Sequence, residues 1–255
     1  MTEVQFETQD HVAILTLNRP DKLNAVTPSM AALINEYARR CDDDSNVRAI
    51  ILTGAGDRSF CAGSDIQQLD HYPTAWSFRN RRDYCDAIRH LRKPTVAAIN
   101  GFALGGGLEL AMSCDIRIAA QNARFAAPEI KLGWIGGGGM SVFLSQAIGP
   151  SNAAFMLMTG DMIGANQALA WRLVTEVVPQ ESLLDRAMQI AATIALRAPI
   201  AAETAKANLH AAHSMPIEAA IQYERDLQTV CFSTDDAREG RAAFAEKRAP
   251  VFTGR

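Results

Sequence analysis

The stretch Asn100-Gly101-Phe102-Ala103-Leu104-Gly105-Gly106-Gly107-Leu108-Glu109 organises the reading of this chain. The apolar run before it, Thr95 to Ile99, reads as a buried strand, and Leu108 to Ser113 reads as the start of a helix. Three successive glycines at such a junction leave backbone N–H groups uncovered, so a ligand can approach the main chain closely. A carboxylate follows at once. Bare donors beside an acid suit a site where negative charge develops on an oxygen while a proton moves nearby.

Outward from this junction, strands alternate with helices. Residues 12–18 read as a strand closed by Arg19-Pro20-Asp21, and Thr27-Pro28 opens a helix with apolar residues at helical spacing (Met30, Leu33, Ile34, Tyr37). Val47 to Thr53 and Ile116 to Ala120 are further strands, and a polar helix-like stretch fills 74–92. This alternation predicts an α/β architecture. After Gly139 the pattern becomes helical over 140–148, 151–159, 164–172 and 180–197, with a single strand at Val174 to Val178. From Pro199 onward only helices are expected, over 199–213, 216–231 and 234–247, a tail suited to packing on a neighbour.

The totals narrow the function. At 255 residues, 48% hydrophobic and 21% charged, the chain suits one large core with a smaller appendage. A formal net charge of −3 argues against a generally nucleic-acid-binding surface. The five cysteines (Cys41, Cys61, Cys85, Cys114, Cys231) lack C-x-x-C spacing and read as free thiols in a reducing compartment. The first residues show no basic, apolar leader and no run is long enough to span a bilayer, so a cytoplasmic protein is expected.

Among chemical candidates, Glu109 stands first, against the plainer reading of a surface glutamate on a helix N-terminus. Glu129, in Phe125-Ala126-Ala127-Pro128-Glu129-Ile130, is either exposed in a turn or partly buried with a raised pKa. Two carboxylates in unlike surroundings can divide acid and base work. In Phe60-Cys61-Ala62-Gly63-Ser64-Asp65-Ile66, Gly63 permits a tight bend that would turn the Ser64 N–H toward a ligand. No Gly-x-Ser-x-Gly elbow makes Ser64 a nucleophile, and neither glycine run has phosphate-loop spacing. The histidines (His11, His71, His90, His210, His213) have no metal-binding spacing. Basic residues gather at 79–93, including Arg79, Arg81, Arg82, Arg89, Arg92 and Lys93, with Asp83 and Asp86 between them. A solvated face is the favoured reading, and an anionic ligand or RNA the sharper one.

In order, these segments resemble the enoyl-CoA hydratase/isomerase (crotonase) family. The likeness runs through Asn18-Arg19-Pro20-Asp21-Lys22-Leu23-Asn24-Ala25, Phe60 to Ile66, Lys93 to Gly101, Ala103 to Ala111, Cys114-Asp115, Pro128 to Gly133 and Glu246-Lys247-Arg248. It implies a core of ββα spiral turns over 1–197 and a helical C-terminal region over 198–255 that drives trimers or hexamers. It implies an acyl-CoA thioester as substrate, with coenzyme A part of that substrate, no separate cofactor and no metal. By position, the N–H groups of Ser64 and Gly106 correspond to an oxyanion hole, and Glu109 and Glu129 to the two catalytic glutamates of hydratases, with Glu109 as base and Glu129 as acid. Lys22, Leu23, Ala25 and Ala62 correspond to contacts with coenzyme A. Gln67 stands where many hydratases have a lysine near the phosphates, a charge that Arg58 or Lys247 would replace. Gly136 stands where the family usually has proline, and Met140 to Phe143 replace a Thr-Gln-Arg-Leu-like series, so the loop loses rigidity. Trp134 would narrow the acyl pocket. The reaction implied is hydration of a 2-enoyl-CoA; the alternatives are double-bond isomerisation and, in a different class, a noncatalytic RNA-binding relative.

Overall fold

Uninterrupted aliphatic runs can form strands only where both faces are covered. Here they build the centre of the fold. The computed structural model describes residues 2–69 and 72–255; His71 lies outside them. One sheet holds six strands in the order β1 (Val4–Gln9), β2 (Val12–Leu17), β3 (Ala49–Gly54), β5 (Thr95–Ile99), β7 (Ile116–Ala120) and β10 (Glu176–Val178). Only β1 and β2 pair antiparallel; the other neighbours are parallel. A smaller sheet holds β4 (Ser59–Cys61), β6 (Phe102–Leu104), β8 (Arg124–Ala126) and β9 (Ile163–Gly164).

Three strands of the first sheet, β3, β5 and β7, each run into a short strand of the second, so β3–β4, β5–β6 and β7–β8 are successive turns of a spiral. Helices close the turns: α1 (Pro28–Asp43) after β2; α2 (Ile66–Leu69), α3 (Ala75–Arg79) and α4 (Tyr84–Arg89) after β4; and α5 (Gly106–Met112) after β6. The fold is α/β, the crotonase spiral. It continues through a 3₁₀ turn at Pro128–Leu132 into α6 (Met140–Ile148), α7 (Pro150–Thr159), α8 (Ala165–Ala170) and α9 (Leu183–Ala195). The last helices are α10 (Pro199–Ser214), α11 (Ile217–Ser233) and α12 (Asp235–Glu246).

The alternation of side chains along β3 divides the interior. Ala49 and Ile51 face Leu183, Ala187, Ala191 and Ala195, one stripe of α9 at four-residue spacing. Ile50 and Leu52 face the main core with Leu15, Leu17 and Ile99. In α1, Thr27 accepts a hydrogen bond from the Met30 N–H, Pro28 takes the first turn, and Met30, Ile34, Ala38 and Cys41 are buried.

The stretch 74–92 is not one helix. It breaks at residues 80–83, where Asp83 caps α4 by accepting from the Cys85 N–H. A carboxylate that takes a backbone donor starts a new helix rather than prolonging the old one. The strand expected at Val174 to Val178 shrinks to Glu176–Val178. The two- and three-residue strands of the second sheet are too short to leave a periodic signal, yet they position the site.

Candidate active site

The end of β5 is tied down before the glycines begin. Asn100 donates to the carbonyls of Gly54 and Gly56 at 2.8 and 2.7 Å. A Cβ on Gly101 would lie 2.2 Å from the Arg58 carbonyl oxygen, so the chain passes β4 as bare backbone. The three following glycines each meet a different neighbour. A Cβ on Gly105, which has φ +54°, would stand 2.8 Å from Oε1 of Glu129. On Gly106 it would stand 2.1 Å from the Tyr84 hydroxyl, and on Gly107 2.0 Å from the Cys61 carbonyl oxygen. Glycine is the residue that allows such approach.

Gly63 bends at φ +92°, and a Cβ there would lie 3.1 Å from the Gly106 nitrogen. The spiral therefore brings the Ser64 turn against the start of α5. Among the described residues, neither the Ser64 N–H nor the Gly106 N–H donates to any acceptor. The Ser64 and Tyr84 hydroxyls are 3.1 Å apart. Burial holds the Tyr84 phenol well above its ordinary pKa, so it remains neutral.

Glu109 is 5% exposed, not a surface residue. Its Oε1 accepts from the Gly138 N–H at 2.7 Å and the Met140 N–H at 3.2 Å. Burial pushes its carboxyl up to about 7, against those two donors and with the charge of Glu129 adding to the rise. Glu129 opens the 3₁₀ turn and is 9% exposed, which settles its two sequence readings in favour of burial. Burial raises its pKa too, and its Oε2 has no hydrogen-bond partner among the described residues. Two carboxylates, one with main-chain donors and one with an unpartnered oxygen, thus border the same glycine junction.

The glycines at 136–139 have a specific purpose here. A Cβ on Gly136 or Gly138 would come within 2.7 or 2.8 Å of the Glu109 carboxylate oxygens. The loop is bare because it wraps that carboxylate. Trp134 is 41% exposed, and its backbone N–H donates to the Glu129 carbonyl. The two cysteines beside the junction are buried: Cys61 is pushed up to about 12 and Cys85 is also raised, so neither supplies a thiolate.

The coenzyme candidates fall into two groups. Lys22, Leu23 and Ala25 lie in a loop stitched to the Ala62 segment: the Ala62 N–H donates to the Leu23 carbonyl at 3.0 Å, and the Val26 N–H to the Gly63 carbonyl at 2.8 Å. Buried Asn24 braces this loop by donating to the Ser59 carbonyl at 2.7 Å. The N–H groups of Lys22, Leu23, Ala25 and Ala62 are all engaged within the protein. Its carbonyls are engaged too: Leu23 accepts from the Ala62 N–H and the Ser59 hydroxyl, Lys22 from the Ala25 N–H and Ala25 from Arg19, so the group this loop holds out to a ligand is the exposed Lys22 side chain. Arg58 is exposed on the β3–β4 connection, whose Gly56 packs toward Pro20. Lys247 caps α12, and no hydrogen bond or ion pair among the described residues links it to the loop.

Sequence reasoning missed Tyr84 and the Gly138 and Met140 donors. Nothing in their local spacing marks them, because they reach the site from other turns of the spiral.

Two sheets linked in ββα turns, with uncovered N–H groups at a glycine junction facing buried carboxylates, define a crotonase-fold protein. The sequence pattern of the family described as Enoyl-CoA hydratase/isomerase matches residues 7–255, and the chain belongs to that family. It is 40% identical over 253 residues to the (E)-benzylidenesuccinyl-CoA hydratase of Thauera aromatica, covering 98% of this chain and 99% of that one. It is 38% identical over 252 residues to the short-chain-enoyl-CoA hydratase of Clostridium acetobutylicum, covering 97% and 96%. The crystal structure of enoyl-CoA hydratase from Bacillus anthracis superposes with a TM-score of 0.94 at 32% identity, over 99% of this chain and 100% of that one.

Proposed function

We propose that the protein is an enoyl-CoA hydratase, a hydro-lyase, in which Glu109 and Glu129 add water across the double bond of a 2-enoyl-CoA. The observation that carries the site assignment is the pair of buried carboxylates against a junction whose Ser64 and Gly106 N–H groups have no internal acceptor. The full-length hydratase relatives support the activity.

The thioester carbonyl oxygen sits between the two N–H groups. They gain strength as the oxygen becomes an enolate, and losing one such donor typically costs about 3 kcal/mol of barrier. A water molecule lies between the carboxylates. Glu109, ionised, takes its proton as the oxygen bonds to C3. Glu129, protonated, delivers a proton to C2. The proton on Glu109 then leaves and Glu129 regains one from solvent, which restores the starting state. The shared charge makes the two acids one titrating unit, so their roles belong to the pair.

Lys22, Leu23, Ala25 and Ala62 form the wall against the adenine end, with the Lys22 ammonium as its charged contact, and Arg58 and Lys247 meet the phosphates, the latter from a neighbouring subunit. The region 198–255 forms the contacts of a homotrimer or homohexamer. In support, α11 buries none of its residues, and Ile217, Val230, Phe232 and Phe244 are each more than half exposed. Four of the five free cysteines are buried, in keeping with a cytoplasmic location. Among the described residues no helix is long and apolar enough to cross a membrane.

The test is turnover of a panel of enoyl-CoA thioesters in heavy-oxygen water. Label at C3 of a 3-hydroxyacyl product supports hydration. A shifted double bond without label would replace this reading with isomerisation.

A further inference from the structure

The basic stretch at 79–93 is not wholly a solvated face. Arg81 lies in the break between α3 and α4, and its side chain is only 24% exposed. It lines a cleft together with Ser64, Tyr84, Gln68 and Tyr72. Its guanidinium also faces the loop that wraps Glu109: a terminal nitrogen is 3.8 Å from where a Cβ on Gly137 would be. The cation therefore stands between the Ser64 turn and the loop carrying the Glu109 donors.

Its orientation is set from three sides. The carboxylate of Asp83, itself held by capping α4, takes one guanidinium nitrogen at 3.1 Å. The Phe78 carbonyl takes another at 2.9 Å. The Phe78 ring lies beneath the guanidinium at 4.3 Å. A guanidinium has five N–H donors, and among the described residues these contacts engage two. The rest are held in a fixed fork, the arrangement that binds a carboxylate through paired hydrogen bonds. Among the described residues, Arg81 and Arg82 line this cleft with one acid, Asp65, which Arg19 pairs at 3.1 Å, and Asp83 pairs Arg81 from outside it, so Arg82 is the charge left over. An ion pair two residues apart in a turn has little to add to stability; beside the Ser64 turn it is a cation already oriented for an anion.

We propose that Arg81 is a specificity-determining residue that binds a second carboxylate, carried on the acyl group of the thioester. This rests on the acyl-CoA reading above. The preferred substrate is then an enoyl-CoA made from a dicarboxylic acid.

The experiment compares binding of succinyl-, glutaryl- and adipyl-CoA with butyryl-CoA by calorimetry, for the wild type, Arg81→Met and Arg81→Lys. None of these thioesters has a double bond, so the result does not depend on hydration. At least one carboxylated thioester is expected to bind the wild type about 10- to 100-fold tighter than butyryl-CoA, as for a hydrogen-bonded charged group. Arg81→Met should erase that ratio and Arg81→Lys should keep part of it. If no carboxylated thioester outbinds butyryl-CoA in the wild type, the proposal fails, whatever the folding of the variants. It fails equally if Arg81→Met weakens all four thioesters alike, which would mean that Arg81 reads coenzyme phosphates. Carboxylate preference without turnover of any enoyl-CoA would sink the hydratase reading and leave Arg81 standing; no binding of any thioester overturns both.

Discussion

The Gly138 N–H donates to Oε1 of Glu109 at 2.7 Å, and Gly138 has no room for a side chain because a Cβ there would lie 2.8 Å from the other carboxylate oxygen. The same residue thus holds the Glu109 carboxylate and leaves space for it. Gly138→Ala should push the Glu109 carboxylate off its donors, lowering kcat while the fold persists. Steady-state kinetics with a thermal melt on the same sample checks both parts.

Glu109→Gln and Glu129→Gln should each reduce hydration by about 10²- to 10⁴-fold, the usual contribution of a positioned acid or base. The Gly138 and Met140 N–H groups can still donate to a glutamine carbonyl, so Glu109→Gln should remain folded. Turnover near the wild-type rate by either variant would remove that residue from the reaction.

The pH dependence follows from the burial of Glu109. Its carboxyl titrates at about 7 when folded and near the ordinary 4.5 when unfolded. Between these values the folded chain binds more protons, so stability falls as pH rises from 4.5 to 7 and then levels off, a loss of about 3 kcal/mol. Denaturant titrations across this window should show the decline in the wild type and a flatter curve in Glu109→Gln. kcat/KM should pass through a maximum with pH, since the proposed reaction needs one carboxylate of the pair ionised and the other protonated.

Gly106→Ala would place a methyl 2.1 Å from the Tyr84 hydroxyl oxygen but 3.3 Å from the ring carbon that bears it. The alanine variant should lose activity, and adding Tyr84→Phe should recover part of it by removing the clashing atom. Gly106→Pro removes the N–H itself, so Tyr84→Phe should not rescue it. A four-way comparison of kcat separates crowding from loss of the donor.

Lys206 anchors the C-terminal helices to the spiral. Its ammonium, on a side chain 5% exposed, meets Asp115 at 2.9 Å and donates to the Lys93 carbonyl at 3.1 Å. Lys206→Met removes the charge partner of Asp115 but leaves it the Thr95 N–H and hydroxyl donors at 2.8 Å, and should cost about 1–3 kcal/mol. Chemical denaturation measures it, and light scattering tests whether the proposed oligomer goes with it.

Much of this was written locally. Thr27-Pro28 announces α1, the aliphatic runs announce β5 and β7, and Gly105-Gly106-Gly107-Leu108-Glu109 announces bare backbone beside an acid, because each signal arises from residues adjacent in the chain. Glu129 stayed ambiguous, since exposure and burial of a post-proline glutamate look alike until another segment covers it. The break at residues 80–83 was hidden because Asp83 reads as one more polar helix residue until its carboxylate finds the Cys85 N–H. The short strands of the second sheet were invisible for want of length. That Gly63 lies against Gly106, that Tyr84 crowds the junction, and that Gly138 holds Glu109 all depend on contacts between segments distant in the chain. Such contacts join residues tens of positions apart, and no periodicity along the chain encodes which turn will lie over which.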